Sequence, residues 1–208
     1  VRFTSPHPHD FTPDVIEAMA SSRVVCEHIH FPLQSGSDRV LSWMRRSYRI
    51  ERYHGWLERI RDAVPGVAVS TDIIVGFPGE TEEDFSGTLG AVERARFDSA
   101  YTFRYSTRAG TRAASLPEQV SPGVVQDRFE RLVAATERIA LERNRDQIGR
   151  RVELLVEEAG SRKDAAKATA RTRTNKIVHV PADGLEAGSF VDAIVTGAHP
   201  HHLDGVLA

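Results

Sequence analysis

Apolar positions along this chain change their spacing at Gly149. Before it, short apolar runs over residues 1–4, 28–33, 67–77 and 100–105 alternate with stretches of helical period near 12–21, 37–63 and 81–96. Start signals support the helices. Thr12, Pro13 and Asp14 offer a capping hydroxyl, a first-turn proline and an acid favoured by the helix dipole. Thr81 and Asp84 stand at the spacing of a capping box. Strands separated by helices of this length predict right-handed β-α-β units and a parallel sheet or barrel, an α/β fold.

Residues 106–120 read as a loop rich in Ser, Thr, Gly and Pro. Ser121 and Pro122 then open a long helix running to about Gln147, with apolar positions at Val125, Phe129, Leu132, Val133, Ile139 and Ala140. After Gly149 come β-rich runs at 152–156, 176–180 and 190–196, separated by Gly, Asp and Pro turns. They predict a small all-β barrel of about five strands, since closure removes exposed edges. The expected division is 1–120, a linking helix over 121–149, and the barrel over 150–208.

Composition narrows the class. The 208 residues are 40% hydrophobic and 27% charged, with a net charge of −2. That is an ordinary globular balance, with no apolar run near the roughly 20 residues of a membrane helix. Cys26 is the sole cysteine, which excludes an internal disulfide and fits a cytoplasmic location. The chain opens at Val1 inside a strand-like run and reads as the C-terminal part of something longer. Nucleic-acid affinity has to be local, and residues 162–176 supply a candidate. Six basic side chains there (Arg162, Lys163, Lys167, Arg171, Arg173, Lys176) face one acid, Asp164. Beside hydroxyls and Asn175 they suit a phosphate backbone; a solvated basic hairpin is the bland alternative.

Candidate chemistry gathers at strand ends. Gln34, Ser35, Gly36, Ser37 and Asp38 crowd the junction between an apolar run and a helix, where N–H donors are free. Asp72 sits inside an apolar strand that runs into a Gly76-Phe77-Pro78-Gly79 turn. Ser5, Gln34, Asp72 and the segment from Arg104 to Arg108 would lie at the same end of one sheet, where such folds build their sites. His7 and His9, and His199, His201 and His202, form two clusters without a companion carboxylate or cysteine at ligand spacing, so no metal site is expected. His28 and His30 read as packing or site-lining residues, Cys26 as a small buried hydrophobe, and Trp43 and Trp56 as core.

Several segments resemble one family. Residues 30–38 followed by 44–48 are similar to the fourth strand and following helix of the radical S-adenosylmethionine methylthiotransferases. Residues 2–8 look like their third strand and 71–81 their fifth. Residues 105–111 resemble the sixth, with Ala109 where proline is usual. Residues 170–176 resemble part of the RNA-binding TRAM domain that ends these enzymes. The resemblance implies the last four strands of a radical-SAM (β/α) barrel followed by a TRAM-like barrel.

For function it implies methylthio transfer to C2 of an N6-isopentenyladenosine beside the anticodon of tRNA. A 4Fe–4S cluster would cleave S-adenosylmethionine, with a second cluster delivering sulfur. Ser5, Gln34, Ser35, Arg46, Asp72, Gly76 and Gly79 would help hold S-adenosylmethionine, Arg46 pairing with its carboxylate. Arg171, Arg173, Asn175 and Lys176 would contact tRNA. The family's cysteine motifs have no counterpart here, so ligands for both clusters are absent and the chain alone is not expected to generate the radical. Two other readings keep part of this picture: the same chemistry on threonylcarbamoyl-adenosine tRNA or ribosomal protein S12, and a non-catalytic RNA-binding remnant.

Overall fold

A computed structural model describes residues 1–3, 6–9, 11–160 and 166–208. Its first part is a parallel sheet of three strands in the order β1-β2-β3: β1 (His28–His30), β2 (Ala68–Val75) and β3 (Ser99–Arg104). Helices α1 (Pro13–Ser21), α3 (Ile50–Ala63) and α4 (Glu82–Ala95) supply the residues that pack on one face. Side chains alternate across a strand, so Ile29, Val69, Ile73 and Val75 join Phe31, Tyr53, Leu57, Ile60, Phe85 and Val92 in one core. The opposite face carries His28, His30, Ser70, Asp72, Tyr101 and Phe103 and is largely polar and aromatic.

Two expectations change here. The run over 1–4 was expected to be a fourth strand; residues 1–3 lie in no strand and Thr4 is outside the described residues. Val1 instead lies against the chain before β1, its carbonyl accepting from the Cys26 N–H at 2.9 Å. The helix expected over 37–63 is two, α2 (Asp38–Trp43) and α3. Arg45 adopts a left-handed conformation (φ 57°) that ends the first, and the Asp38 carboxylate accepts from the Ile50 N–H at 2.8 Å at the start of the second. A non-glycine residue in that region leaves no sequence signal.

The long helix forms as α5 (Pro122–Arg145), packed on β3 and α4 with Leu132 and Ile139 in the core. Beyond it five strands close a barrel in the order β4-β5-β6-β8-β7: β4 (Arg151–Glu158), β5 (Lys167–Thr172), β6 (Ile177–Pro181), β7 (Phe190–Ala198) and β8 (Leu203–Leu207). Ala168, Ala170 and Ala193 fill its interior beside Leu154, Val156, Val178, Val180, Val195 and Leu203. Small side chains suit so narrow a barrel. Among the described residues no helix is long and apolar enough to cross a membrane.

Candidate functional site

The open face of the sheet carries a chain of polar contacts. Ser70 Oγ lies 3.1 Å from His28 Nε2 and 2.9 Å from His30 Nδ1, and His30 Nε2 lies 3.2 Å from an Asp72 oxygen. A carboxylate oxygen of Asp72 accepts here, which orients the chain. With His30 donating from Nε2, its Nδ1 accepts the Ser70 hydroxyl proton, and Ser70 Oγ accepts from His28 Nε2–H. That leaves the lone pair on His28 Nδ1, an atom that is buried and has no partner. Burial, reinforced by nearby Arg2 and His30, pushes His28 down to about 4, so it is neutral at physiological pH. Tyr101 tilts over His30 at 5.9 Å and is 57% exposed, presenting an aromatic surface beside the chain.

At the C-terminal ends of the strands lies a cleft of about 560 Å³. Gln34, Arg46, Asp72, Phe77, Tyr105 and Arg108 are among the residues lining it. Gln34 is placed by its backbone, which bridges β2: its N–H donates to the Asp72 carbonyl and its carbonyl accepts from Ile74. A left-handed conformation (φ 64°) lets it leave the strand there. Two buried polar atoms of the lining residues, Arg46 Nε and the Tyr105 hydroxyl, have no partner. Buried donors without partners are uncommon; among the described residues Arg2 Nε and Trp56 Nε1 also lack one. Tyr105 opens the segment 105–111 that resembles the family's sixth strand, but it is not among the residues expected to hold S-adenosylmethionine.

The other expected residues of this site sit behind it. Ser35 is fully buried, its hydroxyl 3.4 Å from that of Thr88 on α4, and it does not line the cleft. Gly76 and Gly79 build the turn after β2. The Gly76 N–H donates to Glu80 at 2.8 Å, Glu80 pairs with Arg128 of α5 at 2.9 Å, and the Gly79 N–H donates to the Glu118 carbonyl. Burial raises Glu80 while Gly76 and Arg128 oppose it. A Cβ on Gly76 would stand 2.5 Å from a Val125 methyl, so the turn needs glycine for packing on α5 and for φ 74°. Ser5 lies outside the described residues.

The described part of the basic stretch, expected to contact tRNA, is engaged in ion pairs and hydrogen bonds within the chain. Its residues Lys167–Thr172 are strand β5; Arg162, Lys163 and Asp164 lie outside the described residues. The rest latches the barrel to the sheet. Arg173 makes two 2.8 Å contacts to Glu27, ahead of β1, holding that carboxylate below its ordinary range. Lys176 Nζ reaches Asp98 and Asn144, each at 2.8 Å. Asp98 also accepts from Arg143 and from the Val69 N–H. Burial works against its charge, yet Lys176 and Arg143 hold it below the usual carboxylate range. Arg171 pairs with Glu157 on the neighbouring strand and also reaches Asn175. Asn175 stands 3.4 Å from His28 Nε2. Between sheet, α5 and barrel runs a second cleft, about 340 Å³, lined by His28, Tyr101, Asn144, Arg171, Asn175 and Lys176 among others. The hydrogen-bond chain thus runs from this junction cleft to the strand-end cleft.

The histidine clusters differ. His199 and His202 do gain a companion carboxylate, Asp204, which β8 brings to them, contrary to the sequence expectation. His7 instead packs edge-on against Tyr48. Cys26 is half-buried. Trp56 is core, whereas Trp43 is 40% exposed beneath the Arg39 guanidinium.

Comparison with known proteins agrees with this architecture. Residues 1–92 match the model of the radical SAM superfamily, and residues 145–208 that of the TRAM domain. The chain is similar to tRNA-2-methylthio-N(6)-dimethylallyladenosine synthases from mycobacteria. Identity is 56% over 207 residues with that of Mycolicibacterium smegmatis, covering 98% of this chain and 40% of the relative. With that of Mycolicibacterium vanbaalenii it is 58% over 209 residues, covering 98% and 41%. The chain therefore spans about two-fifths of the length of these curated relatives. Among solved structures, coproporphyrinogen III oxidase of Escherichia coli, a radical SAM enzyme, shares the fold with a TM-score of 0.56 at 14% identity, over 81% of this chain and 45% of that one. One chain thus carries a radical SAM match over residues 1–92 and a TRAM match over residues 145–208, and is similar over 98% of its length to these synthases.

Proposed function

We propose that this chain is part of a tRNA methylthiotransferase that places a methylthio group at C2 of N6-isopentenyladenosine beside the anticodon, in the cytoplasm. The reading divides it into a partial radical-SAM barrel (1–120), a linking helix (121–149) and an RNA-binding barrel (150–208). The names of the mycobacterial relatives support the reaction. The observation that carries the site is the strand-end cleft with its two unpartnered donors, Arg46 Nε and the Tyr105 hydroxyl.

That cleft fits S-adenosylmethionine. Arg46 would pair with its carboxylate, Gln34 and Asp72 would meet its polar atoms, and Phe77 gives an apolar wall. Ser35, Gly76 and Gly79 would act from behind, by fixing the two turns; Ser5, outside the described residues, is a proposed contact to S-adenosylmethionine. When bound, S-adenosylmethionine supplies the methyl group and the means of attacking an unreactive carbon–hydrogen bond. An iron–sulfur cluster does not fit these residues: three thiolates are needed and the sequence has one cysteine. The two 4Fe–4S clusters of the proposed enzyme would draw their ligands from the part of the protein that the longer relatives have and this chain does not match.

For the RNA, the junction cleft is the favoured place. Single-stranded anticodon bases can stack on exposed aromatics and bond through their edges. Tyr101 offers such a surface, and Arg171 and Asn175 offer polar contacts at its rim. Arg173 and Lys176 would serve by orienting the barrel through their ion pairs. The test is a chimera in which this chain replaces the matching 207 residues of the Mycolicibacterium smegmatis relative. Mass spectrometry of tRNA hydrolysates from a strain lacking that relative should then recover the methylthiolated nucleoside. Unmodified N6-isopentenyladenosine despite a folded, cluster-loaded chimera would refute the assignment, and a methylthiolated threonylcarbamoyl-adenosine would move it to the alternative substrate.

A further inference from the structure

The turn between β7 and β8 gathers side chains that the proposed reaction does not use. His199 Nε2 lies 3.0 Å from an Asp204 oxygen. The His199 and His202 rings stack with centroids 4.3 Å apart and 16° between planes. One ligand atom from each of His199, His202 and Asp204 lies within 4.8 Å of the other two. In a tetrahedral site with bonds of ~2.0–2.2 Å, neighbouring ligand atoms stand about 3.3 Å apart. Because the two rings are stacked and a metal binds in the plane of each imidazole, at least one ring has to turn about its side-chain torsions to bring its lone pair to the common point.

The turn is held in place. The His199 N–H donates to the His202 carbonyl at 2.9 Å, and buried Asn144 of α5 donates to the His199 carbonyl at 2.6 Å. Strand pairing sets Asp204 opposite Gly197. A fourth imidazole is near, His179 of β6, its ring 4.9 Å from that of His202. Its Nδ1 faces the Thr169 hydroxyl, which leaves Nε2 for another partner.

We propose that His199, His202 and Asp204 form a binding site for a divalent transition metal of the zinc class, with His179 or water as fourth ligand. Two imidazoles and one carboxylate suit zinc, cobalt or nickel, whereas calcium and magnesium prefer oxygen alone. The metal takes the place of the Nε2 proton between His199 and Asp204, the neutral imidazole then carrying its proton on Nδ1; no electron transfer is involved. Because the turn rests on α5 through Asn144, and His201 reaches Glu137 at 3.2 Å, bound metal would tighten the seat of the barrel against the helix.

The experiment is a Co²⁺ titration of the chain, tag removed and Cys26→Ser as background, followed by visible absorption and then displacement by Zn²⁺. One equivalent with a low-symmetry visible band is expected, weakened at least tenfold in His202→Ala and in Asp204→Asn but unchanged in His7→Ala. Circular dichroism checks folding, and Asp204→Asn preserves shape. Absence of saturable binding, or equal binding by His199→Ala, His202→Ala and Asp204→Asn, overturns the proposal.

Discussion

Lys176 of the barrel and Asp98 ahead of β3 form an ion pair of 2.8 Å, with both side chains less than a tenth exposed. The pair joins two segments 78 residues apart in the chain. Burying charge is unfavourable unless partners satisfy it, and here Arg143, Asn144 and the Val69 N–H complete the set. Removing one partner strands the rest. Asp98→Asn should therefore destabilise the fold by about 3–5 kcal/mol, read as a lowered urea midpoint. A change under half a kcal/mol would mean that the barrel seats without this cluster.

Stability should also depend on pH through His28. Its folded-state affinity for protons is depressed to about 4, so the unfolded chain binds more protons below its ordinary value. The contribution is complete above about pH 6.5 and is lost as pH falls toward 4, with a ceiling of about 3 kcal/mol. His28→Gln should flatten the stability profile across that interval, measured by urea unfolding at successive pH values. An unchanged slope would show that the imidazole takes up a proton in place.

Gly36 tests the junction at the end of β1. A Cβ there would stand 2.5 Å from the Gly87 carbonyl oxygen and from Thr88 Cα, both backbone atoms of α4. Backbone cannot swing aside as a flexible side chain can. Gly36→Ala should cost about 1–3 kcal/mol from overpacking, against little for Gly90→Ala, where nothing lies within 4 Å. Calorimetric Tm values of the two variants compare them directly.

Arg171 and Arg173 should separate in RNA binding. Arg171 lines the junction cleft, whereas Arg173 is committed to Glu27. Arg171→Ala should reduce the slope of log affinity against log salt by about 1. Arg173→Ala, in contrast, should act mainly on stability. Fluorescence anisotropy with an anticodon stem-loop at several salt concentrations measures both, and equal slopes for the two variants would reject the distinction.

How much was legible in sequence follows from local signal. The runs at 28–33, 67–77 and 100–105 became β1, β2 and β3 because alternation and capping hydroxyls are local. Strand β5 went unseen: its buried positions are Ala168, Ala170 and Thr172, too weakly hydrophobic to stand out. The break at Arg45 is a conformation and carries no residue signature. At the site, Gln34 and Asp72 could be named because strand ends cluster polar groups, and Arg46 only through the resemblance of residues 44–48 to the family. The partners of the basic stretch could not, since Glu27 and Asp98 meet Arg173 and Lys176 across 146 and 78 residues. Charge composition alone does not tell a paired cation from a free one.

The central claim is that the strand-end cleft holds S-adenosylmethionine through Arg46. Calorimetric titration of S-adenosylmethionine into the chain and into Arg46→Ala tests it most directly. Loss of a charge-assisted contact of about 1.5–3 kcal/mol should weaken binding about tenfold or more. Saturable binding by the chain with that loss in Arg46→Ala is the predicted result; absent binding, or equal binding by both proteins, would contradict it.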